Sequence, residues 1–484
     1  GTVTASCENA YGSVYGAGIG GGYYGPNDVL SISGGYIRAS GYGSGIGSGE
    51  RGSVDMSITG GLFADGKVDG GPDGNKVYGV PPAEGFAVYA SGDTGYPYAV
   101  AGLAGDFQVE GGVRGTDYSY EYKSSTLKIL TDVPLSVSMR DGVEQTKRDR
   151  IEMFESEVAN VTLAGVRIDA SGDEYGCAFA MGPRSLANVT LAKGSANSLV
   201  SGASRAGLEV GDGASVAIGG EGALEAKCFS EGDAHGTGIG GGDGVPDVSV
   251  SIAGGAVSAS CESVGSIATG AGIGGGSFGS RVNVAITGGV VTASCKAAGD
   301  ARAAGIGSGY DGDGSVKISG GTVIASSEGG SNSGNGIGGH GGHASTASVS
   351  ISGGRIKAES GSGAAIGPAA KITGGLFAPG SYSDGKVYGV DLPQGRTVRD
   401  NPMADKEAYP FAVTVPAGDF AVMGGTEGVD YSYAGNVLQF LTDTPMAVSM
   451  ATPDATTRVD RIAVPSSNAT PANVTLAGVK IDAS

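Results

Sequence analysis

The sequence predicts an all-β, repetitive fold, and three observations indicate it. A seven-residue phrase, Gly-Ala-Gly-Ile-Gly-Gly-Gly at residues 270–276, recurs in close copies along the 484-residue chain. From Ile239 to Ile366 its central isoleucines are 34, 33, 31 and 29 residues apart, a period typical of stacked repeats. Between the phrases, apolar residues alternate with small polar ones, as in strands that bury one face. We therefore predict a linear array of short β-strands.

One period shows how a single repeat is built. Apolar side chains alternate with serine and alanine from residue 248 to 252, Gly254 and Gly255 follow, and alternation resumes from 257 to 261. Paired glycines between two strands indicate a corner that needs positive φ or close backbone approach. Each period thus contains a strand, a corner, a second strand, a loop and the glycine phrase as a third short wall. Coils of this kind, stacked about 4.8 Å apart, form a parallel β-helix, for which we expect the right-handed form.

A second, longer repeat divides the chain into modules. Residues 76–80, 96–100, 117–120 and 160–171 return at 386–390, 409–413, 430–433 and 473–484. The predicted segments are the last coils of a β-helix (1–64), a small antiparallel β module (65–158), a complete parallel β-helix (159–378), a second copy of the module (379–470) and the first strand of a following helix (471–484). We expect each module to cap one helix and start the next, because an uncovered helix end exposes unpaired strand edges. Residues 1–7 match 255–261, in the middle of a coil, so we also expect the chain to be part of a longer array.

Composition limits the possible partners. The chain has 95 glycines, no tryptophan and 49 acidic against 30 basic residues, for a net charge of −19. This acidic balance, with no basic run, argues against nucleic acid as a partner. Since no apolar run is long enough to span a bilayer, we predict no membrane insertion in this segment.

Cysteines recur at the period of the coils. Cys228, Cys261 and Cys295 lie one coil apart at the same strand position, and Cys7 has that position in the first segment. We interpret the three as a ladder of buried thiols that behave as small apolar side chains. A disulfide between adjacent coils is the alternative, because the stacking distance is near the disulfide range.

Two groups of residues are candidates for metal binding. Asp311 and Asp313 lie in a Gly/Asp turn whose oxygens suit Ca²⁺, although the same pattern is typical of solvated turns. His340 and His343 have a metal-like spacing, but no third ligand is near them in sequence, and we interpret them as a solvated loop. We therefore predict no metal and no cofactor, with Ca²⁺ as the alternative.

Catalytic and binding side chains would have to lie on the outward face of the coils. Carboxylates lie in loops rather than in rows, so we predict no catalytic residues and no enzymatic activity. Glycan binding needs exposed aromatic rings, and the first coils provide a group of tyrosines. The candidate glycan-binding residues are Tyr23, Tyr24, Tyr36 and Tyr42, with scattered surface tyrosines as the alternative.

The glycine phrase itself is a candidate surface. Alternation through the phrase predicts that Ile273 points inward while Gly272 and Gly274 point outward, giving a smooth wall of exposed backbone. Such a wall is either the result of tight corner geometry or a packing surface for a neighbouring module, helix or polymer.

Several sequence words resemble a known kind of protein. The words are Asp-Tyr-Ser-Tyr at 430–433, Leu-Thr-Asp-Thr-Pro-Met-Ala-Val-Ser-Met at 441–450, Asn-Val-Thr-Leu-Ala-Gly-Val at 473–479, and the phrase at 270–276. Together they resemble large adhesin-like, or carbohydrate-binding-domain-containing, surface proteins of anaerobic gut bacteria. The resemblance implies a secreted or wall-attached repeat protein on the bacterial cell surface.

From the architecture and this resemblance we predict an extracellular adhesin or stalk. It would bind a glycan, or a host or bacterial surface, through many weak contacts, and it would also be capable of self-association. The alternatives are a polysaccharide-degrading β-helix lyase or hydrolase and a self-assembling filament subunit.

Overall fold

The computed structural model describes residues 1–7, 16–22, 24, 28–41, 44–49, 51–65, 76–83, 85–91, 93–155, 157–340, 346–464 and 472–483. Within these ranges every regular element is a β-strand. No helix in the described part of the chain is long and apolar enough to cross a membrane. The chain divides into two compact units, one formed by Gly1–Glu152 and Val158–Arg167, the other by Met153–Glu157 and Ile168–Ser484. We call them unit 1 and unit 2.

Unit 1 begins with parallel coils. Strands Thr2–Cys7, Asp28–Gly41 and Val54–Phe63 pair in parallel, so that Thr2 lies opposite Tyr36 and Tyr36 opposite Leu62. The glycine phrases contribute the parallel strands Ala17–Gly20 and Ser44–Gly47. Ile32, Ile46 and Ile58 are buried between these walls.

The rest of unit 1 is largely antiparallel. Its strands are Phe86–Ala90, Tyr98–Ala104, Phe107–Glu110, Tyr118–Glu121, Thr126–Ile129, Leu135–Met139, Val158–Leu163, and Arg150–Met153, which reaches the boundary of the unit. Tyr98–Ala104 pairs antiparallel with the last coil strand, Val54–Phe63, and with its neighbours in the module. Parallel pairing returns at the end of the module, where Leu135 lies opposite Val161.

Unit 2 contains the long run of coils, built from three walls. The first wall is Leu186–Leu191, Ser215–Gly220, Ser249–Ile252, Val282–Ile286, Asp313–Ile318, Thr346–Ile351 and Lys371–Ile372. The second is Ala196–Ser201, Ala223–Ser230, Ala256–Ser263, Val290–Ala297, Thr322–Glu328, Arg355–Ser360 and Gly375–Phe377. The third is Phe179–Met181, Leu208–Glu209, Ile239–Gly240, Ile273–Gly274, Ile306–Gly307 and Ile337–Gly338. Arg167–Asp169 precedes the walls, and Ile267–Ala268 and Asp300–Ala301 pair beside them.

Within each wall, neighbouring strands pair in parallel and in register. Val250 lies opposite Val284 in the first wall, and Ile273 lies opposite Ile306 in the third. The inward side chains are buried, so the core is a stack of apolar rungs. The corner glycines Gly255 and Gly289 have φ of 80° and 77°, a left-handed conformation that glycine adopts without a Cβ penalty. The predicted all-β fold, a parallel β-helix with small antiparallel modules, is confirmed.

Unit 2 ends in a second antiparallel module. Its strands are Tyr382–Ser383, Lys386–Val387, Val390–Asp391, Thr397–Asp400, Phe411–Ala417, Phe420–Met423, Tyr431–Ala434, Val437–Phe440, Met446–Met450, Arg461–Ala463 and Val474–Ala477. Gly375–Phe377, the last strand of the second wall, pairs antiparallel with Phe411–Ala417. Met446 then lies opposite Val474 in a parallel pair, as Leu135 lies opposite Val161 in unit 1. The boundaries of the five predicted segments stay a prediction.

Candidate functional site

The first candidate site is a groove in unit 1, beside the corners of the coils. Its volume is about 220 Å³, and it is lined by Gly34, Gly35, Tyr36, Glu110 and the corner glycines at 60 and 61. We call it the corner groove of unit 1. Corner glycines leave part of this wall without side chains, so a ligand would meet backbone, the Tyr36 ring, the Glu110 carboxylate and neighbouring side chains such as Leu62.

Tyr36 belongs to a cluster at this groove. Its side chain is 42% exposed, and its ring centroid lies 5.2 Å from that of Tyr96 in an edge-to-face arrangement. The Arg38 guanidinium lies 5.3 Å from the Tyr96 ring centroid and donates a hydrogen bond of 3.0 Å to the carbonyl of Gly95. Aromatic faces beside hydrogen-bonding groups suit the apolar face and the hydroxyls of a sugar ring.

An equivalent groove occurs in unit 2 with different chemistry. It has a volume of about 380 Å³ and is lined by corner glycines of successive coils, by Arg355 and by Asp430. Arg355 has the position of Tyr36, since it lies opposite Leu376 as Tyr36 lies opposite Leu62. Arg355 forms an ion pair with Asp405. The two grooves share a place in the fold, but only that of unit 1 presents an aromatic ring from this strand position.

The other predicted tyrosines do not all join this cluster. Tyr24 is 56% exposed, and its hydroxyl accepts a hydrogen bond of 2.6 Å from Arg51, whose guanidinium lies 5.7 Å from the ring centroid. Tyr23 and Tyr42 lie outside the described residues. Tyr96 is not among the residues predicted from the sequence. The one feature that could have indicated it is the segment 96–100, which is repeated at 409–413.

A shallow groove of about 630 Å³ lies at the first coils of unit 2. Phe229, Glu174, Glu231, Asp233 and His235 are among its lining residues. The Asp233 carboxylate accepts a hydrogen bond of 3.0 Å from the backbone N–H of Ile267, and His235 Nδ1 lies 2.8 Å from Thr269 Oγ1. We call this the acidic groove, and it is the concavity that a polysaccharide-active enzyme would use.

The prediction that Gly272 and Gly274 form an exposed surface is wrong, because both residues are buried. A Cβ on Gly272 would lie 2.5 Å from the backbone nitrogen of Ser294, and one on Gly274 would lie 2.0 Å from the carbonyl oxygen of Gly307. Glycine is therefore required because the phrase packs against the second wall and against the next coil. The backbone of the phrase is covered by this chain itself, so it offers no open wall to a partner.

The predicted thiol ladder has the expected place. Cys228 lies opposite Cys261 and Cys261 opposite Cys295, and all three are fully buried free thiols. No disulfide joins these three residues, so the alternative interpretation is wrong for them. Burial, followed by the neighbouring Cys261, raises the pKa of the Cys295 thiol well above its usual value.

Serines extend this ladder at both ends, which sequence reasoning missed. Ser201 lies opposite Cys228 and Ser327 opposite Cys295. Ser327 Oγ donates to the carbonyls of Ala301 and Ala303 at 3.0 and 2.9 Å, as Cys228 Sγ donates to loop carbonyls at 3.4 and 3.3 Å. This position therefore suits a small side chain that can donate a hydrogen bond to the carbonyls of the adjacent loop.

The acidic turns proposed for Ca²⁺ are engaged by an arginine. Arg281 contacts both carboxylate oxygens of Asp247 at 2.5 Å, and its backbone N–H donates to Asp313 Oδ1, also at 2.5 Å. Asp311 has a φ of 53° in its turn. Across the part of the chain that the structure describes, no group of three or more His, Cys, Asp or Glu side chains is arranged to hold a metal ion. The Ca²⁺ alternative at Asp311 and Asp313 stays a prediction.

The interpretation of His340 as part of a solvated loop is wrong. Its side chain is 2% exposed, and its Nε2 lies 2.8 Å from Asn332 Oδ1. His343 lies outside the described residues. His340 packs instead against the ring of Tyr310, with centroids 6.0 Å apart.

The carboxylates repeated in the two modules hold turns. Asp149 accepts a hydrogen bond of 2.6 Å from the backbone N–H of Asp106, and Asp460 accepts one of 2.5 Å from Asp419. Both aspartates are buried, at 0% and 3% exposure. Because each carboxylate also accepts from a side chain, Arg148 at Asp149 and Tyr433 at Asp460, these repeated acids are suited to structure rather than to proton transfer.

Comparison with known proteins supports the architecture. A family model described as "Beta helix repeat" matches residues 1–23, 30–50, 284–310 and 349–369. Searches of curated proteins and of solved structures found no match to this chain. Where the structure describes them, the matched residues lie in coils of both units, so these parts of the chain are similar to β-helix repeats.

Proposed function

We propose that this chain is a non-catalytic, extracellular tandem-repeat protein that acts as a stalk or adhesin on a bacterial surface and binds glycans through repeated weak sites. The observation that supports this most directly is the parallel pairing at the end of each module. Leu135 lies opposite Val161 in unit 1, and Met446 lies opposite Val474 in unit 2. Each module thus follows one set of coils and ends in a parallel strand pair, an arrangement on which further coils can stack.

Repetition of this kind suits a mechanical role. In a solenoid, each coil contacts only its neighbours, so length is added at a roughly constant stability per coil. Many copies of a weak site on such an array bind a surface more tightly than one site does, because later contacts form at high effective concentration. An acidic chain of net charge −19 also fits a protein that remains soluble outside the cell.

The glycan contact that we propose is the corner groove of unit 1. The Tyr36 ring lines this groove, and the Tyr96 ring and the Arg38 guanidinium lie next to it, where a bound sugar would also reach them. Tyr36→Ala removes the exposed ring and keeps the strand. Tyr175→Ala is the control, since Tyr175 is 65% exposed and lies in unit 2.

A glycan array is the test. We expect the wild-type chain and Tyr175→Ala to be retained on the same glycans, with Tyr36→Ala retained less. Unchanged retention of Tyr36→Ala would remove the corner groove from the proposal. If the wild-type chain is retained on no glycan, the glycan-binding part of the proposal is wrong and only the stalk role remains.

A polysaccharide-active enzyme is the second candidate, and the acidic groove is the observation that favours it. Glu231 and Asp233 lie there with Phe229, as a glycosidase or lyase site would require. Incubation with host and plant polysaccharides, followed by chromatography, decides between the two. We expect no new products, whereas products that disappear with Glu231→Gln would establish the enzyme.

Fibres longer than one chain in negative-stain images would instead support a filament subunit.

A further inference from the structure

One loop position of unit 2 holds an aromatic residue in an unfavourable conformation. Gly244, Phe278 and Asp311 have equivalent places in successive coils, since Gly244 N–H donates to Ser277 and Phe278 N–H donates to Tyr310 at 2.7 and 2.8 Å. All three have positive φ, of 73°, 58° and 53°. Glycine and aspartate tolerate this region, whereas for a bulky residue it is strained.

Phe278 is also unusually exposed. Its side chain is 60% exposed, so most of an aromatic ring faces solvent. The neighbouring coils form the same turn with Gly244 and Asp311, so the turn itself does not require an aromatic residue at this place. Strained positions of this kind are concentrated at functional sites.

The groups around Phe278 form a compact patch. The Tyr310 ring lies one coil further along, with its centroid 5.9 Å from that of Phe278 and the planes at 83°. The Arg302 guanidinium lies 6.0 Å from the Tyr310 centroid. Asp300 holds that guanidinium through contacts of 2.9 and 3.2 Å. We call Phe278, Tyr310, Arg302 and Asp300 the aromatic patch.

The patch is local to these coils. Arg302 follows Ala301, which lies opposite Ala268, so the preceding coil has Thr269 at the arginine position. The preceding coil likewise has Ser277 where this one has Tyr310. The fold therefore tolerates threonine, serine and glycine at these places. The aromatic rings and the guanidinium group are not needed to form the coil.

We propose that the aromatic patch is a binding site for an uncharged, hexose-based glycan. This inference rests on the proposed function and places a second adhesive site on the long helix. The exposed Phe278 ring would pack its face against the apolar C–H face of one sugar, and the Tyr310 ring, at 83° to it, would contact the next sugar by its edge. The Arg302 N–H groups and the Asp300 carboxylate would bind their hydroxyls. Coils repeat about every 4.8 Å, close to the length of one hexose in an extended chain.

Charge favours an uncharged ligand over an anionic one. Asp300 already neutralises the guanidinium of Arg302. The Asp311 and Asp313 carboxylates lie in the loop that follows Tyr310, and the chain as a whole has a net charge of −19. A uronic acid or sulfated chain would meet net repulsion here.

Variants copied from the neighbouring coils test the site with residues that the same turns already carry, although Tyr310→Ser also removes the ring that packs against His340. Phe278→Gly reproduces Gly244, Tyr310→Ser reproduces Ser277 and Arg302→Thr reproduces Thr269. Phe278→Gly should fold at least as stably as the wild type, because glycine relieves the positive φ. Calorimetry would compare binding of cellohexaose and of a galacturonate hexasaccharide.

We expect the wild-type chain to bind cellohexaose and not the galacturonate. Each ring variant should bind about tenfold more weakly, a loss of about 1.4 kcal/mol. The aromatic patch would be overturned if Phe278→Gly bound cellohexaose as tightly as the wild type while Tyr36→Ala lost glycan binding, and the adhesin proposal would then still stand.

Preference for the galacturonate hexasaccharide would overturn the proposal that the ligand is uncharged. A wild-type chain that binds neither oligosaccharide, nor any glycan on the array, would overturn both proposals. A loss of self-association in Phe278→Gly, without a change in sugar binding, would show that the ring is a protein contact.

Discussion

The hydroxyl of Tyr388 accepts a hydrogen bond of 3.1 Å from the backbone N–H of Ala358. Ala358 lies in Arg355–Ser360, a late strand of the second wall. Tyr78 makes the same bond of 3.0 Å with Ala39 in unit 1. Both tyrosines have positive φ, of 51° and 49°, and both precede a glycine in the repeated word Lys-Val-Tyr-Gly-Val. The modules therefore close the coils with a phenol that satisfies a strand amide.

The first prediction concerns this bond. Tyr388→Phe should leave the Ala358 amide without its acceptor, at a cost of about 1–3 kcal/mol. Hydrogen exchange of the peptide that contains Ala358 is the measurement, because unfolding of stacked repeats is not reliably two-state. We expect faster exchange there and no change in the early coils. Tyr175→Phe is the control, and equal exchange in both variants would contradict the capping role.

The second prediction concerns alkaline pH. Burial raises the pKa of Tyr388 from 10.0 to about 12. The unfolded chain therefore loses this proton first, so the stability associated with Tyr388 is full below pH 10 and is lost as pH rises to about 12. Thermal midpoints across this window should fall less steeply for Tyr388→Phe than for the wild type. Identical slopes would show that the phenol titrates normally in the folded state.

The third prediction concerns the glycine phrase. Gly274→Ala places a Cβ 2.0 Å from the Gly307 carbonyl at a φ of 133°, and should destabilise unit 2 by about 2–5 kcal/mol. Gly219→Ala is the matched control, because a Cβ there meets nothing within 4 Å. Urea unfolding followed by circular dichroism would compare the two. A Gly274→Ala chain as stable as Gly219→Ala would mean that the phrase is not closely packed.

The fourth prediction concerns the thiol ladder. Cys295→Ser should change the stability by no more than about 1 kcal/mol, since Ser327 occupies the next rung with good hydrogen bonds. Cys295→Leu should cost about 1–3 kcal/mol, because the rung has no room for a larger side chain. Thiol labelling of the native wild type should be slow and should become fast in denaturant. Rapid labelling of the native chain would show that the ladder is accessible.

Much of the fold could be predicted because its signals are local. Alternation from residue 248 to 261 specifies two strands, and Gly254 and Gly255 specify the corner, since each pattern depends on the backbone of adjacent residues. Register follows from the period, which places Cys228, Cys261 and Cys295 opposite one another.

The candidate sites were less predictable, because they depend on residues from distant parts of the chain. Tyr36 meets Tyr96 across 60 residues, and Phe278 meets Tyr310 across a full coil. Sequence reasoning counted tyrosines in the first coils but had no means of pairing them with a ring in the module. His340 was misjudged for the same reason, since its glycine-rich neighbours gave no sign of the packing that buries it.

By itself, the sequence determined the strands and the corners, which depend on adjacent residues, and the period and the module repeat, which are visible as words that recur along the chain. Only the tertiary structure decided which side of the glycine phrase is covered. Alternation at Gly272 and Gly274 is compatible with an open wall, but the backbone of Ser294 and the carbonyl of Gly307 lie within contact distance of these glycines. Contacts between walls and between coils form only when the chain closes its turns, so exposure and binding surfaces follow from packing.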